Sequence, residues 1–107
     1  MQIDYLEFSS PQLPQTQQFF AEAFGWGFVD YGPEYQEISD AGLTAGIAAG
    51  PQRAPLVILK TDDLEAALAR VKMAGGRITK AIFAFPGGRR FQFTEPGGTE
   101  MAVWAEA

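Results

Sequence analysis

Histidine and cysteine are both missing from this chain of 107 residues. Without them the usual nitrogen and sulfur ligands of a zinc site are absent. No Ser-His-Asp or Cys-His mechanism can be assembled, and there is neither a disulfide framework nor thiol chemistry. Carboxylate, lysine, arginine, tyrosine and backbone remain, and an oxygen-only site for magnesium or calcium stays open. Basic residues are missing from the first half. Residues 1–50 hold seven acidic side chains and no Lys or Arg, while 51–107 hold eight basic and six acidic ones, so the halves carry −7 and +2. Neither half is a charge run, and the overall −5 disfavours DNA or RNA as a partner. The asymmetry reads as two sub-domains of opposite sign, able to complement each other within a chain or between chains. No apolar run approaches the roughly 20 residues that span a bilayer. The opening MQIDYLEF lacks the basic region of a secretory signal, and a chain without cysteine fits the cytoplasm.

What is present is enough apolar material for one domain: 47% of the residues are hydrophobic. Residues 3–8, IDYLEF, read as a strand. Pro14 suits a first helical turn. Apolar positions 13, 16, 20, 23 and 24 make one helical face that Gly25 terminates, with Thr16 marginal. Short strands follow in WGFVDY, YQEIS and the glycine-rich GLTAGIAAG. The pattern then restarts. PLVILK is a strand, and Asp62 with Glu65 resembles a capping box opening a second helix over 62–74. Leu64, Ala67, Leu68 and Val71 form its buried stripe, and Gly75-Gly76 its stop. RITKAIFAF, RRFQFT and TEMAVW are the last strands, joined by FPGGR and EPGGT, where Pro followed by Gly signals type II turns. A shift of 51 residues lays Tyr5 on Leu56, Leu13 on Leu64 and Gly25 on Gly76. The repeat is one of pattern rather than of residue identity. The expected class is α+β, with βαβββ modules at 1–50 and 51–107.

IDYLEF before the first helix, FFAEAFGW closing it, KTDDLEAAL opening the second and EPGGTEMAVW at the end together resemble the vicinal oxygen chelate superfamily. Its members include glyoxalase I, extradiol dioxygenases, fosfomycin-resistance enzymes and bleomycin-resistance proteins. The resemblance covers nearly the whole chain. It implies two cup-shaped mixed sheets of four strands that form one ligand cleft, paired within one chain or across a dimer. Metal-using members place ligands on the first and last strands of each unit. Those positions fall here on Tyr5, Leu56, Ala102 and the neighbourhood of Ile47. The set argues against metal-dependent glyoxalase or dioxygenase activity, and no cofactor is expected.

Strand alternation sorts the faces. Leu6, Phe8, Val57, Leu59, Met101 and Val103 belong against the helices. Ile3, Tyr5 and Glu7, then Leu56, Ile58 and Lys60, then Glu100, Ala102 and Trp104 belong in the cleft. Tyr5, Leu56, Ile58, Ala102 and Trp104 give an apolar lining, and Glu7, Lys60 and Glu100 the polar groups, as a small-molecule site requires. The carboxylates have two readings, as an acid/base pair or as wet-rim residues paired with Lys60 or an arginine. Lys60 either holds an anion or pairs with an acid of the first module. Tyr5 and Trp104 either stack on a ligand or complete a core or interface. Trp26, Phe28 and Tyr31 read mainly as core. Arg89-Arg90 read as a charged hairpin edge or, less favoured, a phosphate site. Glu95, at the start of its turn, should be solvated. The expected function is metal-free binding or sequestration of a small organic ligand by a homodimer. The alternative is a lyase or isomerase with Glu7 or Glu100 as base, and a scaffold with a filled cleft is the third option.

Overall fold

A computed structural model describes residues 1–107. The elements run β1 (Gln2–Ser10), α1 (Leu13–Phe24), β2 (Gly27–Asp30), β3 (Tyr35–Ser39), β4 (Ala45–Ala49), β5 (Arg53–Lys60), α2 (Leu64–Met73), β6 (Arg77–Phe85), β7 (Gly88–Thr94) and β8 (Glu100–Glu106). The fold is α+β. It has eight strands in mixed parallel and antiparallel pairing and two helices. The chain divides into two compact units, Tyr5–Leu56 and Met1–Asp4 with Val57–Ala107. Neither helix is long and apolar enough to cross a membrane.

In the Tyr5–Leu56 unit the strand order is β2-β3-β4-β1, with β1 parallel to β4 and the other pairs antiparallel. α1 begins with proline in its first turn and ends at Gly25, whose φ of 73° is left-handed and open to glycine without steric cost. Leu13, Ile38, Ala45 and Ile47 form the core, with Leu6, Phe8, Phe20, Trp26 and Phe28 packed on it. Leu6 and Phe8 thus face the helix, as alternation requires. The expected helix face is shorter than its apolar pattern. Ala23 is exposed, and Phe24 is 55% exposed. The turn at Gly25 brings Trp26 back over Phe20, at 5.0 Å between ring centroids, and the indole takes the inner place. Tyr31 also departs from a core reading, at 64% exposed.

In the other unit the order is β5-β8-β7-β6, with β5 parallel to β8. Leu64, Ala67, Phe91, Phe93, Val103 and Ala105 are its core, and Leu59, Leu68, Val71 and Met101 pack around them. The cap of α2 is Asp63 rather than Asp62: its Oδ1 accepts from the Ala66 N–H at 3.1 Å. Thr61 holds this entry, its hydroxyl accepting from the Asp63 N–H at 3.3 Å, which moves the start one residue on. The two Pro-Gly turns differ. Gly87, second after Phe85, has φ 102°, as a type II turn needs, whereas in EPGGT the positive φ (99°) falls on Gly98. There the Glu95 carboxylate accepts from the Thr99 N–H at 3.0 Å. Glu95 therefore pins the turn instead of standing free in solvent.

Candidate functional site

Each unit covers one face of its strands with a helix, and on the other face polar and aromatic side chains stand beside the buried apolar Leu56, Ile58 and Ala102. The expected site residues all fall on these helix-free faces, split between the units. Tyr5, Glu7 and Leu56 lie in one, and Ile58, Lys60, Glu100, Ala102 and Trp104 in the other.

On the Tyr5–Leu56 unit the face is organised around a glycine. Glu7 of β1 and Glu37 of β3 are both register partners of Gly46 on the intervening β4. The Tyr5 and Tyr35 hydroxyls are hydrogen-bonded to each other above Gly46, in the space that a side chain there would fill. Tyr35 also donates to Glu7 at 3.2 Å, and Tyr31 donates to Glu37 at 3.3 Å. Burial, as the largest cause, pushes both the Tyr5 and Tyr35 phenols above their ordinary pKa, so each keeps its proton. Nearby carboxylates act in the same direction: Glu7 raises both phenols, and Glu37 raises Tyr5. Sequence reasoning placed Tyr5 and Glu7 on this face but missed Tyr35, Glu37 and Gly46. The period-2 pattern of YQEIS carries a signal, since Tyr35 and Glu37 fall on one face and Gln36 and Ile38 on the other. Only the β1–β4–β3 register brings that face to Tyr5.

On the other unit, Ile58 pairs with Ala102 and Lys60 with Trp104 across β5 and β8. Ile58 and Ala102 are buried. The Trp104 indole donates to Asp4 Oδ2 at 2.9 Å. Phe85 lies 6.0 Å from its ring, and the Lys60 ammonium lies 4.9 Å from the ring centroid. One of the two readings of Lys60 paired it with an acid of the first module. Lys60 instead reaches Glu106 at 2.9 Å, on the strand beside its own, and this hydrogen bond raises its pKa. Glu100 accepts from Thr79 at 3.1 Å and from buried Gln92 at 3.4 Å, so it is held against the sheet. Arg89 grips both oxygens of Glu65 on α2, at 2.7 and 3.2 Å, and the Arg90 guanidinium lies 5.4 Å from the Phe83 ring. A groove of about 530 Å³ runs beside this face, lined by Gln2, Asp4, Lys60, Thr61, Asp62 and Arg70 among others.

The positions inherited from metal-using relatives do not fit a divalent ion. Leu56 and Ala102 are buried and offer no donor. Ile47 is fully buried on the helix side, one residue out of phase with Gly46 and Ala48. Tyr5 is a phenol whose proton is held more firmly than usual. No three carboxylates converge anywhere in the chain.

A family model described as the Glyoxalase/Bleomycin resistance protein/Dioxygenase superfamily matches residues 2–103. No curated protein matches the sequence. Among solved structures, a glyoxalase/bleomycin resistance protein/dioxygenase superfamily member from Vibrio splendidus 12B01 is similar at TM-score 0.76 and 13% identity, covering 95% of this chain and 97% of that one. Methylmalonyl-CoA epimerase from Mycobacterium tuberculosis follows at TM-score 0.72 and 15% identity, covering 98% and 87%. The Mn(II)-bound glyoxalase from Novosphingobium aromaticivorans gives TM-score 0.71 and 21% identity, covering 96% of this chain and 38% of that one. At these identities the likeness establishes the fold.

Proposed function

From the premise that the chain belongs to the glyoxalase/bleomycin resistance protein/dioxygenase superfamily, we propose that it binds a small organic ligand without a metal. In this reading the two βαβββ runs are the superfamily's modules, residues 1–50 and 51–107. Each unit brings its own part of the expected set: Tyr5 and Glu7 with buried Leu56 in one, and Trp104, Lys60 and Glu100 with buried Ile58 and Ala102 in the other. The observation that carries the reading is the surroundings of Trp104. A sheet face without a helix is ordinarily solvated and polar. This one carries an indole beside Phe85, its N–H fixed on Asp4 and a lysine over its ring. An aromatic surface with a few fixed polar groups is what recognition of a small molecule uses. The absence of donors at three of the four inherited ligand positions supports a site without metal. Binding then needs shape, stacking and charge complementarity, with no catalyst.

The same reading includes a homodimer. Phe19 and Phe24 stand 59% and 55% exposed on the outer side of α1, a pair of rings that a monomer leaves wet.

Native mass spectrometry of tag-free protein against a panel of planar aromatic amines and acids tests the proposal. At least one compound is expected to bind stoichiometrically and to quench tryptophan fluorescence. Trp104→Ala should abolish that quench while Trp26 still emits. A panel that binds nowhere, or a quench that survives Trp104→Ala, overturns it.

A further inference from the structure

We propose that the helix-free face of the Tyr5–Leu56 unit holds a second kind of contact, a site for a protonated organic amine built from Glu37, Tyr31, Val29 and the Tyr5–Tyr35 hydroxyl pair. The proposal rests on the small-molecule reading above only in sharing Tyr5. It adds four residues and a charge class.

Glu37 is the anchor. On β3 it sits two residues beyond Tyr35, so both project from one face. Its register partners are Val29 on β2 and Gly46 on β4. Val29 walls one side of the carboxylate. On the other side Gly46 offers no side chain, and the joined hydroxyls of Tyr5 and Tyr35 occupy its place. Tyr31 closes the end. Its N–H donates to the Tyr35 carbonyl at 3.2 Å, and its hydroxyl reaches Glu37 at 3.3 Å. The negative charge of Glu37 is felt at the Tyr5 hydroxyl, which places these groups in one electrostatic neighbourhood.

Three features select an amine. First, a carboxylate has about four acceptor positions, and the phenol of Tyr31 donates to one of them at long range. Second, the wall is apolar and wet: Tyr31 is 64% and Val29 43% exposed beside that carboxylate. An apolar body with a charged nitrogen covers both at once. Third, within residues 5–56 the acidic side chains are Glu7, Glu22, Asp30, Glu34, Glu37 and Asp40, and the only basic one is Arg53. The field over this unit therefore attracts cations. Tyrosine ring faces add to the attraction through their quadrupoles. A phenol pair that keeps its protons still offers oxygen lone pairs to an ammonium N–H. The ring faces of the other unit are differently used. Lys60 lies over Trp104, and Lys80 and Arg90 lie over Phe83. Cations of the chain already take those places, so the two units differ in what charge they admit.

The test compares benzylammonium, benzyl alcohol and benzoate, which share a ring and differ in charge. Binding is followed by side-chain NMR shifts of Tyr31 and Val29. Benzylammonium is expected to bind about tenfold more tightly than either other probe, the order of a cation–π contact joined to a charged hydrogen bond. Glu37→Gln should reduce it to the level of benzyl alcohol, and Glu37→Asp should keep part of the preference. Equal affinity for benzylammonium and benzyl alcohol in the unaltered protein overturns the proposal, as does a preference that Glu37→Gln leaves intact. Either failure leaves the reading built on Trp104 standing, because that reading is judged by tryptophan quenching with its own panel.

Discussion

The hydroxyls of Tyr5 and Tyr35 meet over Gly46, where a β-carbon would collide with both. One residue without a side chain thus permits a contact between strands that are thirty positions apart in the chain. Gly46→Ala is expected to destabilise the protein by about 1–3 kcal/mol, the usual cost of overpacking a closed site. Urea unfolding measures it. In a Tyr5→Phe, Tyr35→Phe background the cost should shrink without vanishing, since the two nearest colliding atoms are the hydroxyl oxygens while Tyr35 Cζ, 2.7 Å from the added carbon, stays. An undiminished cost would show that Gly46 is needed for some other reason.

The same pair sets an alkaline limit. Both phenols have a folded pKa above the ordinary 10.0, chiefly through burial. The fold thus favours their neutral form. That contribution is fully present below pH 10 and is lost as pH rises through the raised values. Tyrosinate absorbance is expected to show two delayed ionisations coupled to unfolding. Tyr35→Phe removes the hydrogen bond that lowers the Tyr5 pKa, so the remaining Tyr5 transition should be delayed further. Ionisation of both phenols at the ordinary value in folded protein would contradict this.

Glu100 is held by Thr79 and Gln92, so its charge is positioned and not merely solvated. Glu100→Gln keeps an acceptor for both partners and removes the charge. Folding should be nearly unchanged. A ligand of the Trp104 face that donates a hydrogen bond to Glu100 should weaken by about 1–3 kcal/mol, the range for a charge-assisted hydrogen bond. Calorimetry with such a ligand decides, and unaltered affinity would make Glu100 a structural residue only.

Metal content follows from donor chemistry. Tag-free protein is expected to carry no stoichiometric zinc, nickel or iron, by elemental analysis. Added manganese or nickel should leave its melting temperature unmoved. A metal that raises the melting temperature with a one-to-one endpoint would overturn the argument from Leu56, Ala102 and Ile47.

Association should be driven by apolar burial. Attraction between exposed charges is screened over about 10 Å at 0.1 M salt, so a dimer built on Phe19 and Phe24 is expected to survive moderate salt. Light scattering should report two chains at micromolar concentration, and Phe24→Asp should give a monomer. A wild-type monomer, or dissociation by salt alone, would remove this proposal.

Much of the molecule is local information, and local information is what a single sequence carries. Pro14 and Gly25 bracket the first helix at Leu13–Phe24 because each acts through its own backbone angles. Leu6 and Phe8 oppose Tyr5 and Glu7 because a strand alternates faces wherever it is placed. Errors of one residue came from competition at short range. Thr61 shifts the cap from Asp62 to Asp63, and Trp26 takes the inner place that the helix pattern assigned to Phe24.

What only the tertiary structure decided is which side chains share a face across strands. Ile47 and Gly46 differ by one residue, yet one is core and the other lies beneath two phenols. A glycine-rich strand has too little hydrophobic alternation to reveal its phase. Tyr35 and Glu37 were legible as residues of one face but not as neighbours of Tyr5. Their meeting depends on β4 lying between β1 and β3, parallel to one and antiparallel to the other. Such pairing is non-local: its energy comes from ladders closed across long stretches of chain, and no short window of sequence contains both partners.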